Sequence, residues 1–207
     1  MTVTSSEYGI AIFKDVMVPV RDGVRLAADV HRPALNGEPG LIGAKPPYLP
    51  LATRPDVLVF QTPPLEEDVE VTGPIVAKLC ISSSAVDTDF TAKLVDVYPP
   101  NEDYPAGYHL NLVDSIIRAR YRDGWEKAEL MKPGQVYRVE IPLPPTSNLF
   151  KVGHRIRVDV SSSNFPRFDV NPNTGEPLNA NTRWQVAGQS IYHDPQHPSR
   201  VMLPIIP

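Results

Sequence analysis

Serine, histidine and aspartate are the residue types in this chain best suited to covalent chemistry. Serines come in two runs, Ser82-Ser83-Ser84 and Ser161-Ser162-Ser163, and five histidines (His31, His109, His154, His193 and His197) are available to activate one of them. A hydroxyl becomes a nucleophile when an imidazole takes its proton and a carboxylate orients the ring, so the three side chains must converge in space. The usual carrier of such a serine is the elbow G-x-S-x-G, whose second glycine is required because the turn leaves no room for a side chain. That motif is absent from the sequence. Its nearest approach, Gly188-Gln189-Ser190-Ile191-Tyr192, ends on tyrosine. Both serine runs close strand-like segments, where serine is ordinary turn chemistry. The chain is expected to lack a triad of its own.

Three other sets of residues point to binding. His193-Asp194-Pro195-Gln196-His197 spaces two imidazoles four apart, which on a helix would suit zinc. Pro195 and Pro198 argue for a structural turn instead. Asp87, Asp89, Asp169 and Asp194 are oxygen ligands in type, but their spacing is not that of a calcium loop. No metal and no cofactor is expected. The aromatics Trp125, Trp184, Phe165, Phe168, Tyr104 and Tyr108 could form a platform for a sugar, although aromatics in a β-sandwich belong more often to the core. Residues 161–175 (SSSNFPRFDVNPNTG) are unusually specific for a loop. Arg167 can bridge carboxylates, and Asn164, Asn171 and Asn173 can hold backbone, so the segment reads as a pin across the end of a sandwich.

Composition narrows the class of function. The chain has 207 residues, 42% of them hydrophobic, enough for a proper core. Its net charge of -4, with Lys and Arg spread along the chain, disfavours nucleic acid or an anionic membrane, both of which need a basic face. No stretch reaches the roughly 20 apolar residues of a membrane span. The first residues lack the basic and apolar regions of a secretory leader, so a cytoplasmic location is expected. The one cysteine, Cys80, lies in a strand-like run and reads as a buried structural thiol.

The elements that must position these residues are strands. Proline is pushed to strand ends, edges and loops because it lacks a donor, so 24 prolines suit an all-β fold. Residues 12–20 and 24–31 alternate in polarity around Arg21-Asp22-Gly23, a β-hairpin with a type I′ turn. Residues 34–55 are dense in Pro and Gly and read as a linker. Strand patterns resume at 56–62, 75–82, 89–97, 109–121, 135–143, 155–161 and 201–206, and Thr72-Gly73-Pro74 reads as a lead-in to the second of them. The expected architecture is a jelly-roll β-sandwich over 56–207, carrying the 1–33 hairpin as an N-terminal arm.

Several of these segments resemble the CocE/NonD family of hydrolases, which includes cocaine-esterase-like and X-Pro dipeptidyl-peptidase-like enzymes. Val18-Pro19-Val20-Arg21-Asp22-Gly23-Val24-Arg25-Leu26 is similar to that family's opening hairpin. Arg54-Pro55-Asp56-Val57-Leu58-Val59-Phe60, Asp87-Thr88-Asp89-Phe90-Thr91-Ala92-Lys93-Leu94, Ile117-Arg118-Ala119-Arg120-Tyr121-Arg122, Gly153-His154-Arg155-Ile156-Arg157 and the 164–175 loop resemble its C-terminal, galactose-binding-like jelly roll, in order. The resemblance implies a serine hydrolase acting on acyl esters or X-Pro dipeptides. The elbow, acid and histidine of such enzymes lie in an α/β core between the two stretches, and none can be placed on this sequence. The chain is therefore expected to be catalytically silent. Tyr48 lies near the position of the family's oxyanion-hole tyrosine but falls in the irregular 34–55 segment, and it is not assigned. The family's jelly roll can lend apolar wall to the active site, and Phe90 is the candidate for that role. A jelly roll without its core should expose an apolar face, so self-association or docking on a hydrolase core is expected.

Overall fold

The computed structural model describes Arg54 and residues 56–206, together with the backbone of four short strands: β1 (Val3–Ser5), β2 (Ala11–Phe13), β3 (Val24–Leu26) and β4 (Val30–Arg32). The Arg21-Asp22-Gly23 turn, Tyr48 and most of the 34–55 segment lie outside the described residues. β1, β2 and β4 form one small antiparallel sheet in which Ile12 faces His31, and β3 pairs elsewhere, with β11.

Nine strands build the rest: β5 (Leu58–Gln61), β6 (Val69–Ser83), β7 (Asp89–Tyr98), β8 (Tyr108–Arg118), β9 (Tyr137–Phe150), β10 (Arg155–Ser161), β11 (Gln189–Tyr192), β12 (Arg200–Met202) and β13 (Ile205–Ile206). They form an all-β sandwich. One sheet runs β5-β10-β7-β8. In the other, β6 is central, with β9 along one side and β11, β12 and β13 in succession along the other. Alternation decides which side chains go inside. Val71, Ile75, Ala77, Leu79 and Ile81 of β6 meet Phe90, Ala92 and Leu94 of β7, with Val139, Ile141, Phe150 and Val160 filling between them. Burying each large side chain is worth roughly 1.5–3 kcal/mol.

Three boundaries differ from the sequence expectation, each for a local reason. Thr72-Gly73-Pro74 does not interrupt β6, because a register shift between Gly73 and Ile75 absorbs the proline as a bulge. Gly73 has φ 137° there, and a Cβ would stand 3.1 Å from Pro204. β9 runs on past Leu143 through Pro144 and Pro145, since among the described residues it pairs only with β6 and its free side needs no donors. β8 ends at Arg118 rather than at Tyr121. The chain there tightens into a 3-10 turn over Ala119–Tyr121, and the Ala119 N–H donates to the Thr88 carbonyl at 2.8 Å.

Candidate functional site

The segment between β10 and β11, residues 162–188, crosses one end of the sandwich with no strand of its own. Side chains at the ends of β7 and β8 hold it. Asp89 faces Arg118 in the β7–β8 register, and the pair is bidentate at 2.9 and 3.0 Å. Two residues further out, Asp87 takes the Arg120 backbone N–H at 3.1 Å, its Nε at 2.8 Å and its Nη2 at 2.7 Å. Asn171 of the crossover sits over both carboxylates. Its amide donates to Asp87 Oδ2 at 3.0 Å and to Asp89 Oδ1 at 2.7 Å, while its Oδ1 accepts the Asn173 N–H at 2.9 Å. Asn173 has φ 62°, a left-handed conformation that asparagine tolerates. Arg120 Nη1 reaches the Glu176 carbonyl at 3.0 Å. The carboxylate of Asp89 raises the Arg118 pKa, so its guanidinium stays charged. Glu176 then folds the next turn by accepting the hydroxyl and N–H of Thr182. With these bonds and those from Thr174 and Arg183, its pKa is lowered to about 2.

A second cluster holds the start of the crossover. Asp114 of β8 accepts Lys93 Nζ at 2.8 Å and Asn164 Nδ2 at 3.0 Å, and it pairs with Arg167, whose guanidinium also lies over the Phe168 ring. The expected pinning role of 161–175 is what this geometry provides.

Between the crossover and the β8 end lies a cleft of 430 Å³. Its floor is Arg118, Arg120 and Asn171, and its rim includes Phe165, Asp169, Leu178, Asn179, Asn181 and Trp184. The floor groups are saturated by the bonds above, except Arg118 Nη1, which has no partner among the described residues.

The sequence candidates for catalysis do not converge. Ser82 Oγ meets the Tyr192 hydroxyl at 3.0 Å, Ser83 Oγ accepts from Ala85 N–H, Ser84 Oγ from Gly188 N–H, and Ser161 Oγ bonds Thr91 Oγ1 at 2.6 Å. No serine hydroxyl hydrogen-bonds a histidine ring among the described residues. Ser190 stands inside β11, on no elbow. Two histidines do pair with carboxylates: His154 Nδ1 lies 2.8 Å from the buried Asp96, and His197 Nδ1 lies 3.1 Å from Asp194. His109 contacts Arg157, His193 packs edge-on to Phe60, and the side chain of His31 is outside the described residues. Asp87 and Asp89 lie side by side under Asn171 but are taken by arginines, Asp169 lines the cleft above them, and Asp194 caps its own turn elsewhere. Among the described residues no three His, Cys, Asp or Glu side chains could together hold a metal ion.

One expectation is corrected. Phe90, the candidate pocket wall, has 0% of its surface exposed and lies in the core opposite Ile117, so it reaches no ligand from outside. The sequence leaves open whether the aromatics are core or platform, and in the structure Trp125 is 74% exposed and Trp184 53%, with Tyr104 and Tyr108 stacked on the surface at 4.7 Å. Arg118 and Arg120, which with Asp89, Asp87 and Asn171 form the staple that fastens the crossover, were not singled out from sequence. The signal was there in the matched spacings Asp87-x-Asp89 and Arg118-x-Arg120 on strands that pair.

Residues 16–202 match the family model of the X-Pro dipeptidyl-peptidase C-terminal non-catalytic domain. The chain belongs to this family. Among relatives of this X-Pro dipeptidyl-peptidase C-terminal domain, the cocaine esterase of Rhodococcus sp. (strain MB1 Bresler) is 47% identical over 76% of the chain and 27% of its own length. An aminopeptidase from a marine-sediment Thaumarchaeota archaeon superimposes with TM-score 0.72 at 38% identity, over 75% of this chain and 27% of that one. An alpha-amino acid ester hydrolase does so with TM-score 0.70 at 36% identity, over 74% and 26%. The chain thus spans about a quarter of the length of these relatives, and the resemblance to CocE/NonD-type hydrolases is to their C-terminal domain. No helix among the described residues is long and apolar enough to cross a membrane.

Proposed function

We propose that this chain serves as the accessory domain of a serine hydrolase that cleaves acyl esters, its catalytic residues being supplied by a separate α/β unit. The observation that carries the reading is the match over residues 16–202 to a non-catalytic domain, joined to a structure in which, among the described residues, no serine hydroxyl bonds a histidine ring. The relative at 47% identity is an esterase, which favours ester over X-Pro dipeptide as the substrate class of the whole enzyme. The docking partner is the catalytic unit itself, since nearly three quarters of that relative's length lies outside the match. The exposed apolar side chains Leu149, Met202, Ile205 and Ile206, strung along the β6 sheet, are the surface we assign to that contact. Self-association through the same surface is the alternative outcome. The lone reduced thiol Cys80 fits a cytoplasmic setting.

The test is turnover of a short-chain nitrophenyl ester and an X-Pro-nitroanilide by the purified chain. A full-length relative lacking its nucleophile serves as control. Rates equal to the control, with no serine labelled by a fluorophosphonate, are expected. A rate well above it, abolished by that reagent, overturns the reading. For the contact, Ile206→Asp with Leu149→Asp should abolish co-elution with a separately expressed catalytic unit. A monodisperse chain that never binds that unit refutes the docking.

A further inference from the structure

The cleft over the β8 end has no part in the accessory reading. We propose that it is a binding site for a neutral pyranose sugar. Four observations select that chemistry. The first is size: 430 Å³ lies at the small end of the roughly 300–1,000 Å³ of small-molecule sites. The second is charge. Arg118 and Arg120 line the cleft but are each neutralised from beneath by a buried carboxylate, Asp89 and Asp87, and the one carboxylate in the lining itself is Asp169. An anionic ligand is therefore disfavoured.

The third is the mixture of donors and acceptors left over. Arg118 Nη1 is a donor in the floor with no partner among the described residues, Asp169 is an exposed acceptor, and Asn179 and Asn181 offer both at the rim. None of the three rim side chains hydrogen-bonds another described residue. A ring of hydroxyls, each donor and acceptor at once, satisfies such a set, whereas a cation would meet Arg118. The fourth is the rim aromatic. Trp184 keeps 53% of its surface exposed beside Leu178 and Phe165, although burying it would be favourable. A pyranose is the common polar ligand with one apolar C–H face to lay on an indole.

The site is built rigidly from below. Asn171 and both arginines are locked by the carboxylates, and Glu176 ties Thr182 and Arg183, so the turn carrying Trp184 is held from both ends. Asn173 Nδ2 closes the far side on the Gln185 carbonyl at 2.8 Å. Such preorganisation lowers the entropic cost of taking a ligand.

The experiment uses the full 207-residue chain carrying Trp125→Phe, which leaves Trp184 as the sole tryptophan. Glucose, galactose, mannose and lactose are titrated against its emission, and saturation-transfer NMR is recorded in parallel. A saturable change with a Kd of about 1–10 mM is expected for at least one of them, a scale suited to one shallow site. Trp184→Ala should weaken the NMR-detected binding about tenfold through loss of the stacking face. Asp169→Asn, which keeps the shape, should weaken it less, and glucuronate should bind more weakly than glucose. No saturable response to any of the four sugars at about 50 mM by a folded chain, binding unchanged in Trp184→Ala, or a preference for glucuronate overturns the proposal.

Discussion

Replacing Arg120 by leucine should be among the most damaging single changes at this end of the sandwich. The Arg120 side chain is 7% exposed and that of its partner Asp87 is 0% exposed. The substitution removes two charge-assisted bonds to Asp87, at 2.8 and 2.7 Å, and a third to the Glu176 carbonyl. Asp87 keeps only neutral donors, the residue-120 N–H and the Asn171 amide. A buried carboxylate deprived of its counter-charge costs about 3–5 kcal/mol. Leucine fills part of the space, so the lower end of that range applies. Urea unfolding at neutral pH, with a slope of about 2 kcal/mol per M, should show the midpoint fall by about 1.5 M. Adding Asp87→Asn removes the stranded charge and keeps an acceptor for one of the two remaining donors, which address different oxygens of Asp87. The double variant should therefore recover about half the loss. A single-variant cost below about 1 kcal/mol, or a double variant no more stable than the single, would show that the pair is not what holds the crossover.

Three further outcomes follow from the same geometry. Gly175→Ala should destabilise by about 1–3 kcal/mol in the same assay, because φ is 72° there and the new Cβ would stand 2.9 Å from Val86 Cγ2 and 3.1 Å from Leu130. Glu176 should titrate by NMR at about 2, held down first by the Thr182 hydroxyl and N–H. A depressed carboxylate stabilises above its unfolded value and loses that contribution as pH falls through about 2. Amides of residues 174–183 should thus lose exchange protection only in strong acid, whereas Glu176→Gln should lose it at pH 7. His109 should titrate below the ordinary 6.5, since burial and then the Arg157 charge both disfavour its protonated form. Its contribution is present above 6.5 and is lost as pH falls. Arg157→Gln should move the NMR midpoint up, and an unchanged midpoint would remove Arg157 as a cause.

The core was legible in the sequence because strand alternation is a local property. Residues 155–161 and the start of β7 at Asp89 follow from counting alone. Where the reading failed, a neighbour decided. Proline ended strands on paper at Thr72-Gly73-Pro74 and after Leu143, but a bulge and a free edge accommodate it in the fold. Phe90 carried an apolar side chain that could face either way, and only the opposing sheet settles that it points inward. The staple was half legible. Its asparagines are identified as anchors of the loop, but the targets of Asn171 lie more than 80 residues away, and no spacing rule links Asn171 to Asp87. Trp184 was one of six aromatics offered as a sugar platform, and sequence alone could not tell an exposed ring from a core one.

The crossover is fastened by polar and ionic bonds, while the sandwich beneath it is fastened by apolar burial. These two kinds of attachment respond differently to temperature and solvent. Lifting residues 162–188 would expose carboxylates, guanidiniums and amides but little hydrocarbon, so the opening should carry a small heat capacity change and a small urea slope. Unfolding of the sheets should carry large values of both. The molecule should therefore possess a sub-global open state that a denaturant curve barely registers and that becomes relatively more accessible in high salt, where the ion pairs at its exposed end are screened. Cooling, which weakens the core, should leave this fastening almost untouched.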